Sequence, residues 1–368
     1  MKYYLIAGEA SGDLHASNLM KALKNYDSNA EFRFWGGDKM RVIGGTLVKH
    51  YKDISYMGFW EVFTHLFEIK KNLKQCKQDV LSYNPDALIL VDYPGFNLRI
   101  AQFSKTNGLK VYYYISPKIW AWNTSRVEII KKAVDRVFTI FPFERDFYKK
   151  YNYEADYIGH PLIEEINSFK KDENFISENQ LGIDPIIALL PGSRKQEITK
   201  TLNVMTSVKS QFPDHTFVIC GLSSMDKNIY EPFITDSVKI VIDKTYDLLS
   251  SSDAAIITSG TANLEAALLD VPQIVCYKTS LLTYLIAKMV IKVDYISPVN
   301  LIMNKEVIKE LIQDQFNPNS VTEELRRILN DSDYKIEMLE NYKMLQDDLE
   351  LEEPSSEKAA KIIFEELN

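Results

Sequence analysis

Short apolar runs bounded by turn residues recur along this chain with amphipathic stretches between them, and that alternation restricts the fold more than any other feature. Tyr3–Ala7, Glu31–Trp35, Ala87–Val91, Lys110–Ile115, Arg136–Ile140 and Ala155–Ile158 form one series. Parallel neighbours need a crossover long enough to hold a helix, so the pattern predicts a mostly parallel, doubly wound α/β sheet. A polar, charged stretch from about Glu164 to Asp184 then interrupts the rhythm and reads as a linker. The second series is Ile186–Leu190, Thr216–Cys220, Lys239–Ile242, Ala254–Ile257 and Gln273–Cys276. Two similar domains in tandem are therefore expected, at residues 1–164 and 165–345. From Lys305 onward the sequence reads as helices only, broken at Asn317-Pro318 and at Asn330-Asp331-Ser332-Asp333. The last of them, within 346–368, is expected to pack back on the first domain.

A length of 368 residues suits two cores better than one. Hydrophobic residues at 46% and charged residues at 26% match ordinary soluble proteins, which excludes a disordered or membrane-spanning class. Cys76, Cys220 and Cys276 are widely spaced, fitting a reducing compartment and no structural metal. The polar break after Met1–Gly8 argues against a secretory signal, and apolar stretches such as Leu281–Ile291 are interrupted by Lys288. A cytoplasmic protein is expected, with no nucleic-acid partner. Charge is uneven: residues 1–160 carry 23 Lys/Arg against 17 Asp/Glu, and residues 161–368 carry 20 against 34. A basic first half is compatible with a face that approaches anionic lipid or phosphate, and equally with chance plus an acidic tail.

Ligands of open α/β sheets bind beyond the carboxyl ends of the strands, so the residues just after each strand carry the functional information. The first strand runs into Gly8-Glu9-Ala10-Ser11-Gly12-Asp13, two residues before His15. This is neither a P-loop nor a dinucleotide fingerprint nor a nucleophile elbow. It presents Glu9, Ser11 and Asp13 as polar candidates, against the plainer alternative that Asp13 caps a helix. The run ending at Val91 delivers Asp92, a candidate general base, in Asp92-Tyr93-Pro94-Gly95-Phe96-Asn97. Next comes Ser116-Pro117-Lys118-Ile119-Trp120-Ala121-Trp122, whose aromatic faces suit sugars, acyl chains or plain packing. The segment Met57–Phe67, with Phe59, Trp60, Phe63 and Phe67, is followed by Lys70, Lys71, Lys74 and Lys77. That composition suits a helix lying on a bilayer, and also an amphipathic helix packed on the sheet.

In the second half, Pro191-Gly192-Ser193-Arg194 joins a strand to a helix, where free amides, helix dipole and a guanidinium suit a phosphate. Thr258-Ser259-Gly260-Thr261-Ala262 forms another such turn, and Glu265 stands one turn further on, suited to ribose hydroxyls. Asp331-Ser332-Asp333 has the form of a divalent-cation motif but sits between helices, where those residues are ordinary caps. His15, His50, His65, His160 and His215 show no paired spacing. No metal and no cofactor are expected.

Taken in order, Ala7–Asp13, Met57-Gly58, Asp92 with Pro94 and Phe96-Asn97, Tyr114–Pro117 through Trp120-Ala121-Trp122, Pro142-Phe143-Glu144, Gly159-His160-Pro161, Leu190–Arg194, Ser259–Ala262 through Glu265, and Tyr295–Asn300 closely resemble the lipid-A-disaccharide synthase family. These are bacterial glycosyltransferases of the GT-B type, in which two Rossmann-like domains face a cleft. The resemblance implies transfer from UDP-2,3-diacylglucosamine to 2,3-diacylglucosamine 1-phosphate, giving the β-1,6 lipid A disaccharide phosphate and UDP. It also implies peripheral association with the inner membrane, and leaves oligomerisation open. Asp92 matches the family's essential aspartate, and Asn300 a family contact to substrate. Where many members carry Asp after the Pro of the Asp92 motif, this chain has Gly95. A different UDP-sugar enzyme of the same fold, such as a UDP-GlcNAc 2-epimerase, and a non-catalytic nucleotide-sugar-binding protein are the competing readings.

Overall fold

The computed structural model describes residues 1–54, 66–279, 284 and 293–368. The chain divides into two compact units, one of Met1–Glu164 with Leu349–Asn368 and one of Glu165–Asp348.

In the first unit, β1 (Lys2–Ala7), β2 (Glu31–Gly36), β3 (Thr46–His50), β4 (Ala87–Val91), β5 (Lys110–Tyr114), β6 (Arg136–Thr139) and β7 (Asp156–Tyr157) form one sheet in the order β3-β2-β1-β4-β5-β6-β7. Every pairing is parallel. Both faces of a parallel sheet are covered, which is why Tyr3–Ala7 and Ala87–Val91 are apolar without alternation and buried throughout. In the second unit, β8 (Ile186–Leu190), β9 (Thr216–Gly221), β10 (Val238–Ile242), β11 (Ala254–Thr258), β12 (Gln273–Tyr277) and β13 (Lys309–Ile312) run β10-β9-β8-β11-β12-β13, again all parallel. Each unit thus repeats the doubly wound 3-2-1-4-5-6 order of a Rossmann-like domain. The order reverses between β1 and β4 in one and between β8 and β11 in the other. Those two switch points are where such sheets open a crevice for ligand.

Two expectations change. The residues from Lys305 onward are not all helical, because Lys309–Ile312 closes the second sheet as an edge strand paired to β12. The stretch 164–184 is also no free linker: Pro161–Ser168 and Phe175–Glu178 are helices, and Phe175 and Leu181 are buried in the second unit's core. The final helix, Ser355–Leu367, lies on the helix Ala10–Tyr26 within the first unit. Asn25 Nδ2 donates to Glu357 at 2.8 Å, and Tyr26 meets Phe364 at 6.1 Å. Glu164 receives Ser355 Oγ at 2.5 Å, Ser356 N at 2.7 Å and Ser356 Oγ at 2.8 Å, an acidic cap on that helix's start.

Candidate active site

At the first switch point, β4 ends in two consecutive residues with left-handed backbone, Asp92 at φ +42° and Tyr93 at φ +48°. Aspartate tolerates that region and tyrosine does not favour it, so the surroundings must hold the turn. They do so from three sides. Asn97 Nδ2 donates to the Asp92 carbonyl at 2.8 Å and to that of Val91 at 3.1 Å; Tyr113 Oη donates to the Asp92 carbonyl at 2.6 Å; Tyr93 Oη donates to Ile54 O at 2.8 Å. Glycine at position 8 is required because a Cβ there would stand 2.4 Å from the Tyr93 ring. The turn leaves the Asp92 side chain half-buried at the strand end. Burial raises its carboxyl above the ordinary aspartate value, while the charge of Lys118 and the Tyr93 N–H pull it back down. Gly95 is exposed, and a Cβ on it would enter open space.

Around the β1 end, Glu9 is the N-cap residue of the helix Ala10–Tyr26 and half-buried, close enough for its charge to bear on the Tyr93 phenol. Ser11 is exposed. Asp13 requires a correction. Its Oδ1 accepts from Gly37 N at 2.7 Å and Met40 N at 3.2 Å, and Oδ2 from Lys39 N at 3.1 Å. The carboxylate caps the helix Asp38–Ile43 rather than its own helix, and a carboxylate spent on three amides is a structural anchor, not a base. His15 is driven down to about 4 by burial and by the charge of Lys39, so it is a neutral imidazole; its Nδ1 is buried without a partner among the described residues.

Lys118 and Glu144 are the residues here whose weight was not evident from sequence. Glu144 is fully buried. Its Oε1 accepts from Trp120 Nε1 at 2.9 Å, and Oε2 from Ile140 N and Phe141 N at 3.1 Å each. Burial pushes this acid up to about 7 in spite of the Phe141, Trp120 and Ile140 donors and of Lys118. Trp120 in turn meets Phe143 edge-on at 4.9 Å. The sequence singles out this glutamate only through the Pro142-Phe143-Glu144 motif of the family resemblance; its burial and its three donors come from the fold.

At the second switch point, β8 runs into Gly192, whose φ of +92° is left-handed backbone that favours glycine. Ser193 and Arg194 are exposed, and Arg194 is the N-cap of the helix Lys195–Ser207. The Arg194 guanidinium pairs with Glu197 at 3.0 Å. An exposed pair of this kind is worth little, so the fork is available to a phosphate. Next door, Ser259 and Gly260 join β11 to the helix Thr261–Leu268, whose first residues are Thr261 and Ala262, with Gly260 and Thr261 exposed. Ser259 Oγ is committed to Ile296 O at 3.2 Å, which ties this turn to the loop 293–297. Glu265 is half-buried, and its Oε1 accepts from Tyr246 Oη at 3.2 Å. Burial raises Glu265, the Tyr246 hydrogen bond lowers it, and the charge of Glu165 raises it again.

Asn300 is the second correction. It is fully buried; Nδ2 donates to Ile308 O at 2.8 Å and Glu310 Oε1 at 3.0 Å, and Oδ1 accepts from Val307 N at 2.8 Å and Ile308 N at 3.0 Å. An amide has two donors and two lone pairs, and all four are used inside the fold. It staples the helix Pro298–Met303 to β13 and has nothing left for a substrate. Of the expected membrane-facing residues, Phe59, Trp60 and Phe63 lie outside the described residues. Phe67 is 81% exposed at the start of the helix Leu66–Tyr83. Asp331 Oδ1 accepts from Tyr334 N at 3.1 Å, the capping contact expected of the acid pair there.

Residues 3–364 match the family model described as Lipid-A-disaccharide synthetase. The lipid-A-disaccharide synthase of Geobacter sulfurreducens is 36% identical over 341 residues, covering 90% of this chain and 88% of its own. That of Syntrophus aciditrophicus is 36% identical, covering 94% and 93%. Among solved structures, UDP-GlcNAc 2-epimerase from Neisseria meningitidis bound to UDP-GlcNAc superposes with a TM-score of 0.67 at 12% identity, covering 100% and 99%. The glycotransferase of kitacinnamycin gives a TM-score of 0.68 at 12% identity, covering 100% and 99%. At that identity the solved structures speak for the fold alone. Sequence likeness across nearly the whole length, together with the doubly wound pair of units, establishes that the chain belongs to the lipid-A-disaccharide synthase family.

Proposed function

We propose that this glycosyltransferase joins UDP-2,3-diacylglucosamine to 2,3-diacylglucosamine 1-phosphate, with Asp92 as general base and the diphosphate on the second unit. The observation that carries the reading is the chemistry at the two switch points. One offers a carboxylate on a tightly held turn; the other offers two strand-to-helix turns with an exposed guanidinium whose ion-pair partner among the described residues is Glu197. Asp92 takes the proton of the acceptor 6-hydroxyl as that oxygen attacks the donor's anomeric carbon from the face opposite UDP, so configuration inverts. A carboxyl raised by burial and pulled back by Lys118 and the Tyr93 N–H suits that task.

Charge builds on the departing UDP oxygen as the bond to the sugar breaks. Arg194 and the amides of Gly192 and Ser193 receive it, with Gly260, Thr261 and Ala262 alongside. Glu265, oriented by Tyr246, accepts from ribose hydroxyls. In this scheme no metal is called on, since guanidinium and helix termini supply the positive charge. Acyl chains reach the acceptor side from a membrane surface, met by Phe67 and the lysines after it, on a cytoplasmic protein held peripherally at the inner membrane. The distant 2-epimerase likeness does not favour the competing reading.

Mass analysis of the products formed by wild type, Asp92→Asn and Asp13→Asn, each with and without chelator, tests the scheme. Asp92→Asn should lose about 10²- to 10⁴-fold in kcat, the usual worth of a positioned base. Asp13→Asn should lose mainly stability. Full activity in Asp92→Asn removes that residue from the mechanism, and strong inhibition by chelator overturns the metal-free scheme.

A further inference from the structure

Glu310 takes no part in the chemistry above, yet it is a carboxylate only 9% exposed, on the edge strand β13 opposite Val275 of β12. An acid so placed needs donors, and three converge on it. Its Oε2 accepts from Ile296 N at 2.9 Å, and its Oε1 from Ser297 N at 2.9 Å and Asn300 Nδ2 at 3.0 Å. Two consecutive amides of one loop thus meet the two oxygens of one carboxylate, which fixes the loop there in position and orientation.

The peptide plane that supplies Ser297 N also carries the Ile296 carbonyl, and that carbonyl receives Ser259 Oγ at 3.2 Å. In a trans peptide the N–H and the C=O leave opposite edges of one rigid plane. Glu310 therefore grips one edge and Ser259 the other. The Asn300 side chain adds a donor to Oε1 but is not on the path to Ser259. Ser259 N in turn donates to Cys276 O at 2.9 Å, and the next residue, Gly260, is the N-cap of the helix Thr261–Leu268. A hydroxyl has one hydrogen to give, and at Ser259 this link uses it. Ionised phosphate oxygens need donors, so Ser259 steadies the turn, while the helix-start amides beyond it, which have no partner within the helix, are left for the diphosphate.

We infer that Glu310 is a positioning residue for the donor: through the Ile296–Ser297 peptide and the Ser259 hydroxyl it holds the turn at Gly260 in the shape that receives the diphosphate. The inference rests on the reading of that turn as part of the UDP site. Charge and position act here with opposite sign. A carboxylate in this unit repels a diphosphate, so removing its charge alone should tighten UDP binding. Loss of the grip should weaken it. In Glu310→Gln the side chain keeps its shape and one acceptor oxygen, but its NH2 group meets a backbone N–H, donor against donor.

Calorimetric titration with UDP, well below every melting transition, compares wild type, Glu310→Gln, Ser259→Ala and the double variant. Val218→Ala, at a buried position of β9, is the control destabilised elsewhere in the unit. Glu310→Gln and Ser259→Ala should each raise the UDP Kd about three- to tenfold, the worth of one hydrogen bond. The double variant should bind no more weakly than the worse single one, because both cut the same link. Val218→Ala should bind like wild type. Unchanged or tighter binding by Glu310→Gln overturns the inference, and so do losses that multiply in the double variant or an equal loss in Val218→Ala. Should Glu310→Gln not fold, Ser259→Ala decides alone: wild-type affinity breaks the path from Glu310 to the turn, and the expected loss keeps it. If wild type binds no UDP, the reading of the donor site fails by itself. Hydrogen exchange then tests the grip, faster exchange at the amides of residues 259–262 in Glu310→Gln but not in Val218→Ala supporting it and equal rates refuting it.

Discussion

Asn300 shows how a polar residue in a functional motif can be structural. Its four hydrogen bonds join a helix to an edge strand, and Glu310, which it meets, also receives Ile296 N and Ser297 N at 2.9 Å each. Replacing the amide with a carboxylate in Asn300→Asp turns a donor toward Glu310 into a second acid, and leaves both short of protons in a buried place. The cost should be about 3 kcal/mol, seen as a fall of roughly 6–12 °C in Tm for a unit of this size. UDP affinity measured well below the transition should stay within about twofold of wild type. A large loss of UDP binding in a protein that melts normally would return Asn300 to the substrate. Asp13 teaches the same lesson with a different chemistry, since its carboxylate completes three amides of a neighbouring helix. In both cases the residue type was legible and its partner was not, because the partner lies 24 residues away for Asp13 and 10 for Asn300, beyond any local pattern.

Among the elements, strands buried on both faces were the most legible, since Ile186–Leu190 or Ala87–Val91 can be little else. The two that escaped are edge strands. Thr46–His50 has no residue fully buried and Lys309–Ile312 carries two charged residues in four, so neither forms an apolar run. The turn into the helix Pro142–Lys149 illustrates what an element hides. Beyond its place in the Pro142-Phe143-Glu144 motif, Glu144 reads as a routine acid in a first turn, yet it ties Trp120 to the turn just after β6 from a fully buried position. Its acid is raised to about 7, whereas in the unfolded chain it titrates near 4.3. Between those values the unfolded chain has lost the proton and the native protein keeps it. Stability contributed by this group is therefore present in acid and falls as pH rises from about 4.3 to 7, by an amount on the order of 3 kcal/mol. Glu144→Gln should be less stable than wild type in acid, because its amide cannot serve both Trp120 and the two backbone donors, and the gap should narrow as pH rises through that window. Chemical unfolding at pH 5 and pH 8 measures it; a gap that widens toward pH 8 contradicts the assignment.

At the scale of the whole molecule, charge has to be counted by folded unit rather than by halves of the chain. Residues 1–160 carry a net +6, but Glu164 and the six acids against two lysines of Leu349–Asn368 belong to the same unit, leaving it at +1 and the second unit at −9. Part of that acid is spent locally: Glu366 pairs with Lys110 at 3.2 Å and with Arg136 at 3.0 Å, at the amino ends of β5 and β6. No overall positive field therefore draws the first unit to an anionic surface. Under the proposed membrane association, the element among the described residues suited to supply attraction is the helix Leu66–Tyr83. Its Asn72, Cys76 and Val80 are buried at intervals of four, which turns Lys70, Lys71 and Lys74 outward next to the exposed Phe67. Among the described residues none of those three lysines is in an ion pair. Each is worth roughly 1 kcal/mol near an anionic leaflet, so reversing all three to glutamate should lower partition onto vesicles containing phosphatidylglycerol by about a hundredfold or more. Reversal of Lys335, Lys343 and Lys358, placed on other helices, should change partition far less. Added salt should weaken the wild type toward the triple variant, leaving the apolar share carried by Phe67. Sedimentation with sucrose-loaded vesicles at low and physiological salt gives both numbers, and equal binding by the two triple variants would mean that this helix is not the membrane face.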